Sequence, residues 1–310
     1  MSRIHEALKK AEAERAASQQ VTHVEEVAFP SRPLNPEPTP PFNSVAPATP
    51  GTSGSFSPPP TFDMLISRTV ESKWRPETST MLFFDEDEKA YGTEEFRTLR
   101  SRLYQVREKQ PLKKILVSSA LPQEGKSFVS SNLAQVMVRQ HGRKALLIDA
   151  DLRASRLHQT LGTNATPGLA EYLLGECDEF AVLQRGSMEN LFFIPAGRMV
   201  SNPAELLGNG RLKFLLSRLE SLFDWIIIDA PPAVPISDAS LVANYCDGVL
   251  MVVRSNTTPS DVARKARMEF KDTALVGVVL NAVDGGTSYS KYYYAAYGNN
   301  EERTRSGAGK

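Results

Sequence analysis

Residues 114–127 read KILVSSALPQEGKS, and this stretch decides the fold. An apolar run leads into a proline-containing turn that ends at Gly125, Lys126 and Ser127. A helix-period pattern follows at once, over 126–140. The order of buried strand, tight loop and helix predicts an anion site, because the free backbone N–H groups of a helix N-terminus converge there.

The loop resembles the phosphate-binding pattern GxxxxGK[ST], with Ala120 at the position of the first glycine. In this pattern the lysine reaches the β- and γ-phosphates and the serine hydroxyl binds Mg²⁺. The sequence therefore predicts ATP and Mg²⁺ as cofactors. The residues expected to hold the nucleotide in this loop are Glu124, Gly125, Lys126, Ser127 and Phe128.

Two further apolar runs end in acidic residues. Asp149 and Asp151 follow one run, and Asp229 follows another. Open α/β sheets bind ligands at the carboxyl ends of their strands, so we expect these side chains to converge. Carboxylates about 4 Å apart repel by roughly 4 kcal/mol at an effective dielectric constant of 20, which favours a cation among them. Mg²⁺ held by Ser127, Asp151 and Asp229 meets this need, whereas the alternative is three solvated loop acids.

From about residue 83 onward, strand and helix signals alternate. Apolar runs of strand length occupy 115–118, 145–148, 191–194, 225–228, 248–253 and 275–280. Helix-period stretches occupy 126–140, 211–222 and 260–271. This alternation predicts an α/β fold with a doubly wound, mostly parallel sheet and helices on both faces.

The N-terminal part of the chain differs in composition. Eleven of the 21 prolines fall within 30–60, among Ser, Thr, Ala and Asn. Such a segment buries too little apolar surface to fold, so a disordered linker is predicted over 18–80. A short helix is predicted over 1–17, either as a docking element or as a marginal solvated helix. A P-loop domain is expected over 81–284, with a flexible tyrosine-rich tail over 285–310.

The composition excludes several classes of protein. The 36 Lys and Arg residues balance 36 Asp and Glu residues, which argues against a nonspecific nucleic-acid binder. Cys177 and Cys246 fit neither a disulfide framework nor a zinc site. The longest apolar runs are about six residues, against the roughly 20 of a membrane span. The N-terminus lacks the apolar segment of a secretory signal, so we expect a cytoplasmic protein.

Three motifs together resemble those of the bacterial tyrosine kinases, P-loop proteins unrelated to the eukaryotic protein kinases. The matching segments are the loop at 120–127, the DxDxR element at 149–153 and the apolar run with DxxP at 226–232. The related MinD/ParA-type regulatory ATPases instead carry a signature lysine where this chain has Leu121. A regulatory ATPase gated by nucleotide-dependent dimerisation remains the alternative function.

The resemblance implies transfer of the γ-phosphoryl group of ATP to a tyrosine hydroxyl. Lys126 and Arg153 would stabilise the charge on the transferring group. Asp149 is the first candidate to orient or deprotonate the hydroxyl, whose unperturbed pKa is about 10. Asp151 and Asp229 would then organise Mg²⁺, although the roles of Asp149 and Asp151 could be exchanged. Asn281, at the end of the last predicted strand, is expected near the adenine.

The C-terminal tail is rich in tyrosine. Its aromatic residues are Tyr289, Tyr292, Tyr293, Tyr294 and Tyr297. Gly, Ser and Asn surround them without an apolar period, which argues against a core role, and basic residues are not interleaved as nucleic-acid stacking would require. The resemblance implies that this cluster is the phosphoacceptor of an autokinase.

Glu94, Arg97 and Arg100 form an ExxRxxR pattern. On a helix these positions could be a surface ion-pair ladder, but the resemblance implies contacts between subunits of a ring-type homo-oligomer. It also implies a role in capsule or exopolysaccharide synthesis or export. A separate transmembrane polysaccharide co-polymerase is expected as activator and as the link to the inner face of the cell membrane.

Overall fold

The computed structural model describes residues 60–77, 79–84 and 92–283. Its strands are β1 (Val70–Glu71), β2 (Lys114–Ser119), β3 (Ala145–Asp149), β4 (Gln184–Arg185), β5 (Leu191–Ile194), β6 (Trp225–Asp229), β7 (Gly248–Arg254) and β8 (Leu275–Asn281). These eight described strands form one sheet in the order β1-β4-β5-β3-β6-β2-β7-β8. All neighbouring strands are parallel except the antiparallel pair β4 and β5. The predicted, mostly parallel sheet is confirmed.

Helices connect these strands. They are α1 (Phe62–Arg68), α2 (Thr93–Arg107), α3 (Lys126–Val138), α4 (Leu157–Leu161), α5 (Leu169–Leu174), α6 (Glu179–Val182), α7 (Pro203–Gly208), α8 (Arg211–Leu219), α9 (Asp238–Ala243) and α10 (Ser260–Glu269). A 3₁₀ turn at Glu220–Leu222 extends α8. The three predicted helical stretches therefore correspond to α3, α8 with its 3₁₀ turn, and α10. In the described part of the chain, none of these helices combines the length and apolarity that crossing a membrane would require.

The sheet is covered by helices on both faces. Apolar residues of α2, α3 and α4 pack on one face, against side chains such as Ile115 and Val117. The remaining helices pack on the other face, against alternate side chains such as Leu116. Strands β3 and β6 are buried along their whole length, as expected for central parallel strands. The predicted doubly wound arrangement is thus confirmed.

The segment at 60–77 differs from the disordered linker that the sequence predicts over 18–80. Thr61 caps α1 by accepting a hydrogen bond from the Met64 N–H, and Leu65 is fully buried. Trp74 is 6% exposed, and its ring meets that of Phe193 edge to face at 6.4 Å. The sequence prediction does not include these two buried apolar residues, because a composition averaged over a long window also contains the proline-rich segment upstream.

Several sequence predictions lie outside the described residues. These are the helix over 1–17, the linker up to residue 59, and the tyrosine-rich tail with Tyr289, Tyr292, Tyr293, Tyr294 and Tyr297.

Strand register positions the candidate site. Strand β6 lies between β3 and β2, and Asp149 is the register partner of Asp229. Val117 of β2 is the partner of Asp229 on the other side. The carboxyl ends of the three central strands therefore meet beside the loop that follows β2, which is where an open α/β sheet forms its ligand crevice.

Candidate active site

The phosphate loop joins β2 to α3. Gly125 has a φ of 91°, in the left-handed region, directly before the first helical residue, Lys126. A Cβ atom at position 125 would lie 2.0 Å from Nδ2 of Asn281. Glycine is therefore required twice, for its backbone conformation and for the close approach of Asn281.

Lys126 reaches two of the predicted carboxylates. Its Nζ lies 2.9 Å from Oδ2 of Asp151 and 3.7 Å from Oδ2 of Asp229. Burial lowers the pKa of Lys126, but the negative charges of Asp229 and Asp151 outweigh burial and hold the pKa above its ordinary value. The ammonium group thus stays charged at the centre of the site.

Ser127 and Asp229 meet across the loop. The Ser127 hydroxyl donates to Oδ2 of Asp229 over 2.6 Å. The other carboxylate oxygen of Asp229, Oδ1, is buried and has no hydrogen-bond partner within the described ranges. Burial raises the pKa of Asp229 by disfavouring its charged form. A buried oxygen without a partner beside a hydroxyl and a lysine fits a site that a cation completes.

The donor set fits Mg²⁺ bound together with a nucleotide. Among the residues that the structure describes, no three His, Cys, Asp or Glu side chains are grouped so that they could hold a metal ion. Mg²⁺ usually binds one or two carboxylates and takes its other oxygens from water and phosphates. Ser127 and Asp229, which are hydrogen-bonded to each other, can supply two ligands. The third predicted ligand, Asp151, is close to this pair and contacts Lys126.

Asp149 is held more tightly than the sequence suggests. It is fully buried, with Oδ1 accepting the Asp151 N–H at 3.1 Å and Oδ2 accepting the Leu157 N–H at 3.3 Å. Burial, together with the nearby charge of Asp229, raises its pKa to about 7. Both oxygens brace the loop between β3 and α4, so Asp149 shapes the segment that carries Asp151.

Arg153 is paired with a residue that the sequence motifs do not include. Its Nε and Nη2 atoms donate to the two carboxylate oxygens of Asp238, at 2.7 and 3.0 Å. Asp238 is 1% exposed and lies in the first turn of α9. The pair joins the DxDxR loop to α9, whereas the sequence predicts Arg153 at the transferring phosphoryl group. The sequence signal for Asp238 is an acidic residue in the first turn of a helix. This signal does not identify Arg153 as its partner, because Arg153 lies 85 positions away.

Two predicted nucleotide contacts have further roles in the fold. Asn281 donates from Nδ2 to the Glu124 carbonyl at 2.9 Å, so its side chain lies against the phosphate loop. The ring of Phe128 packs edge-on against Phe96, with centroids 5.8 Å apart. The Phe128 side chain is therefore partly buried against the core, which leaves its backbone N–H as the group available to a phosphate.

The ExxRxxR residues lie on α2. Glu94 and Arg97 form an ion pair one turn apart. Arg100 donates from Nη1 to the Val136 carbonyl at 2.9 Å and so attaches α2 to the last turn of α3. The helical spacing that the sequence predicts is confirmed, and Arg100 has a contact within its own chain.

Comparison with known proteins places this geometry in a family. A family model described as an AAA domain matches residues 113–258. Tyrosine-protein kinase YwqD of Bacillus subtilis is 33% identical over 213 residues, which cover 68% of this chain and 88% of that protein. Tyrosine-protein kinase wzc of Salmonella typhimurium is 32% identical over 207 residues, covering 66% of this chain but 29% of that longer protein.

A solved structure agrees with these sequence matches. The kinase domain of Escherichia coli tyrosine kinase ETK has 30% sequence identity and a TM-score of 0.62, with coverage of 69% of this chain and 86% of that one. With 33% identity to YwqD across 88% of that protein, the chain belongs to the bacterial tyrosine-protein kinase family.

Proposed function

We propose that this protein is an ATP-dependent protein-tyrosine autokinase that phosphorylates its own C-terminal tyrosines in trans, within an oligomer. The observation that carries the proposal is the meeting of Lys126, Ser127, Asp151 and Asp229 where β2, β3 and β6 end. Positioned charge at such a point is the main contribution of a protein to phosphoryl transfer.

Each residue of this cluster has a distinct task. The backbone N–H groups at the start of α3 and the Lys126 ammonium group bind the phosphates of ATP. Ser127 and Asp229 hold Mg²⁺, with Asp151 close by. Bound with ATP, Mg²⁺ neutralises charge on the phosphates. Lys126 must exchange part of its contact with Asp151 for phosphate oxygens, which frees this carboxylate for another partner.

The acceptor tyrosine needs a carboxylate to orient or deprotonate its hydroxyl. Asp149 has no exposed surface, and both of its oxygens accept backbone N–H groups. Asp151 is 3% exposed, and its Oδ1 accepts the Arg153 and Ala154 N–H groups at 3.3 and 3.0 Å. Its Oδ2, however, lies 2.9 Å from Nζ of Lys126, the group that binds phosphate in this proposal. We therefore assign the contact with the tyrosine hydroxyl to Asp151 and the bracing of its loop to Asp149, whereas the sequence predicts Asp149 at the hydroxyl and Asp151 at Mg²⁺.

The proposed phosphoacceptors are the five tail tyrosines. Each phosphotyrosine adds about −1.5 to −2 charges at neutral pH, so a fully modified tail adds roughly −8 to −10. The unmodified chain has a formal net charge of zero. Charge repulsion of this size would separate subunits that associate through Glu94, Arg97 and Arg100. We therefore expect unmodified subunits to form a ring and phosphorylated subunits to separate.

The proposed biological role is control of capsule or exopolysaccharide synthesis or export. The match covers 29% of wzc, so this longer relative has a large part to which the chain does not correspond. We propose that a separate transmembrane polysaccharide co-polymerase supplies such a part, activates the kinase and holds it at the inner face of the membrane.

The test is intact-mass analysis and peptide mapping of the purified full chain after incubation with ATP and Mg²⁺, beside Lys126→Met. The proposal expects mass increments of phosphate on tail tyrosines of the wild type only, with the co-polymerase's cytoplasmic segment added in a second arm. ATP hydrolysis without phosphotyrosine in either arm would instead favour the regulatory ATPase. Against that alternative, Leu121 packs on the core where the ATPases carry their signature lysine.

A further inference from the structure

Glu124 is a buried acid inside the phosphate loop. It is 3% exposed, and its Oε2 accepts the Leu121 N–H at 2.7 Å. Its Oε1 accepts the hydroxyl of Thr258, and the Arg254 N–H approaches the same oxygen at 3.5 Å. A carboxylate is a costly group to bury, and beside a bound triphosphate it would repel the ligand. Its presence here therefore calls for a specific role.

The donors to Glu124 come from the loop itself and from outside it. Leu121 is the second residue of the loop, whereas Thr258 precedes α10 in the segment that follows β7. The carboxylate thus joins the start of the loop to its glycine end and fixes both to the β7–α10 connection. Leu121 and Thr258 stand 3 and 134 positions from Glu124 in the chain.

Two further side chains hold the backbone of the same segment. The Arg254 guanidinium donates to the Gln123 carbonyl at 3.1 Å, and Asn281 donates to the Glu124 carbonyl at 2.9 Å. Gln123 has a φ of 63°, a left-handed conformation that is unfavourable for a residue with a side chain. Such a conformation persists where surrounding contacts fix it. We call Glu124, Arg254, Thr258 and Asn281 the phosphate-loop clamp.

We propose that Glu124 is a positioning residue that holds the phosphate loop in its nucleotide-binding shape through Thr258, with Arg254 and Asn281 fixing the adjoining backbone. The proposal rests on the proposed function, because it concerns the same nucleotide site. The loop binds phosphate with N–H groups that must converge before the ligand arrives, since ordering them on binding would reduce affinity. The clamp supplies that order from the end of β7, the β7–α10 connection and the end of β8.

The experiment measures the affinity for Mg²⁺-ADP by titration calorimetry, on the full chain and without a kinase assay. The variants are Glu124→Ala, Glu124→Gln and Thr258→Val. Glu269→Gln on the exposed side of α10 is the matched control. The unfolding midpoint of each nucleotide-free protein is recorded in parallel. Thr258→Val exchanges a hydroxyl for a methyl group, so it tests the clamp even where Glu124→Ala fails to fold.

The proposal expects Glu124→Ala to weaken ADP binding about tenfold or more, and Thr258→Val by about three- to tenfold. Glu124→Gln should fall between wild type and Glu124→Ala, because the amide oxygen can still accept the Leu121 N–H. The control should bind as wild type does. The unfolding midpoint of Thr258→Val should stay within about 2 °C of wild type, since the change is confined to one hydroxyl.

Affinities within twofold of wild type for the folded Thr258→Val and Glu124 variants would overturn the proposal. A purely structural role would do so as well, and it would appear as lowered unfolding midpoints with unchanged ADP affinity. A wild-type protein that binds ADP tightly but forms no phosphotyrosine, either alone or with the co-polymerase's cytoplasmic segment, would refute the kinase proposal and leave the clamp in place. The two failures are therefore distinguishable.

Discussion

The Ser127 hydroxyl donates to Oδ2 of Asp229 over 2.6 Å, although the two residues are 102 positions apart. Ser127 lies in the first turn of α3 and Asp229 ends β6, so this bond joins the phosphate loop to the central strand of the crevice. The second oxygen of Asp229 is buried without a partner in the part of the chain that the structure describes. Together these facts make Asp229 the residue through which Mg²⁺ should act on nucleotide binding.

Asp229→Asn should therefore remove the effect of Mg²⁺ on nucleotide affinity. Without Mg²⁺ the variant should bind ADP at least as tightly as wild type, because a carboxylate close to the phosphates has been neutralised. With Mg²⁺ the wild type should gain affinity and the variant should not. Titration of ADP at several Mg²⁺ concentrations measures this difference. Phosphotyrosine formation should fall about 100-fold or more, and an unchanged Mg²⁺ response would contradict the metal assignment.

Arg153 and Asp238 should be strongly coupled in stability. Both guanidinium contacts go to a carboxylate that is 1% exposed. A double-mutant cycle with Arg153→Ala and Asp238→Ala should give a coupling free energy of about 2 kcal/mol by urea unfolding. The exposed pair Arg198 and Glu176 is the control, with an expected coupling below about 0.5 kcal/mol. Equal coupling free energies for the two pairs would contradict this prediction, because burial of Asp238 would then not strengthen its interaction with Arg153.

Substitutions of Glu94 and Arg100 should distinguish an effect on oligomerisation from an effect on folding. Glu94→Ala breaks an exposed ion pair one helical turn apart, which is worth a few tenths of a kcal/mol. The variant should keep the wild-type free energy of unfolding and sediment as a smaller species. Arg100→Ala also loses the bond to the Val136 carbonyl, so it should lower the free energy of unfolding by about 1 kcal/mol. Unchanged sedimentation of both variants would argue against this surface as the subunit contact.

Asp224 should contribute stability that is lost in acid. Burial alone would raise its pKa, but the Lys144 N–H and the Arg143 guanidinium outweigh burial and hold the pKa below its ordinary value. A carboxyl whose pKa is lower in the folded state stabilises the fold above its unfolded pKa of about 3.9, and the contribution disappears as pH falls through the folded value. Asp224→Asn should thus be about 1 kcal/mol less stable at pH 7. The difference should shrink below about pH 4 in urea unfolding series, and a constant difference would contradict the assignment.

The sequence predicts the parts of this molecule that depend on local order. The sequence shows the strand, loop and helix around Lys126 as an apolar run, a glycine-containing turn and a helix-period pattern. It also shows β3 and β6 as apolar runs that each end in an acidic residue. Parallel strands then bring those ends together by topology alone. For this reason the sequence alone predicts that Asp151 and Asp229 lie near Lys126.

The parts that sequence could not predict depend on distant side chains meeting. Asp238 approaches Arg153, and Thr258 approaches Glu124, across 85 and 134 positions. No spacing rule connects such residues, because their contact depends on strand order and on the length of the intervening loops. The brace formed by Asp149 escapes prediction for a related reason: an acid at the end of a strand looks the same whether its oxygens face a ligand or the backbone of its own loop.

Phosphorylation between subunits is the central claim, and mixing two complementary variants tests it most directly. One is Lys126→Met, which keeps the tail but lacks the phosphate-binding lysine, and the other keeps Lys126 but carries Phe at all five tail tyrosines. With ATP and Mg²⁺, peptide mass spectrometry should find phosphate on the tail of the Lys126→Met chain only when both proteins are present. Phosphate-free tails in the mixture, beside a wild type that modifies its own tyrosines, would contradict transfer in trans.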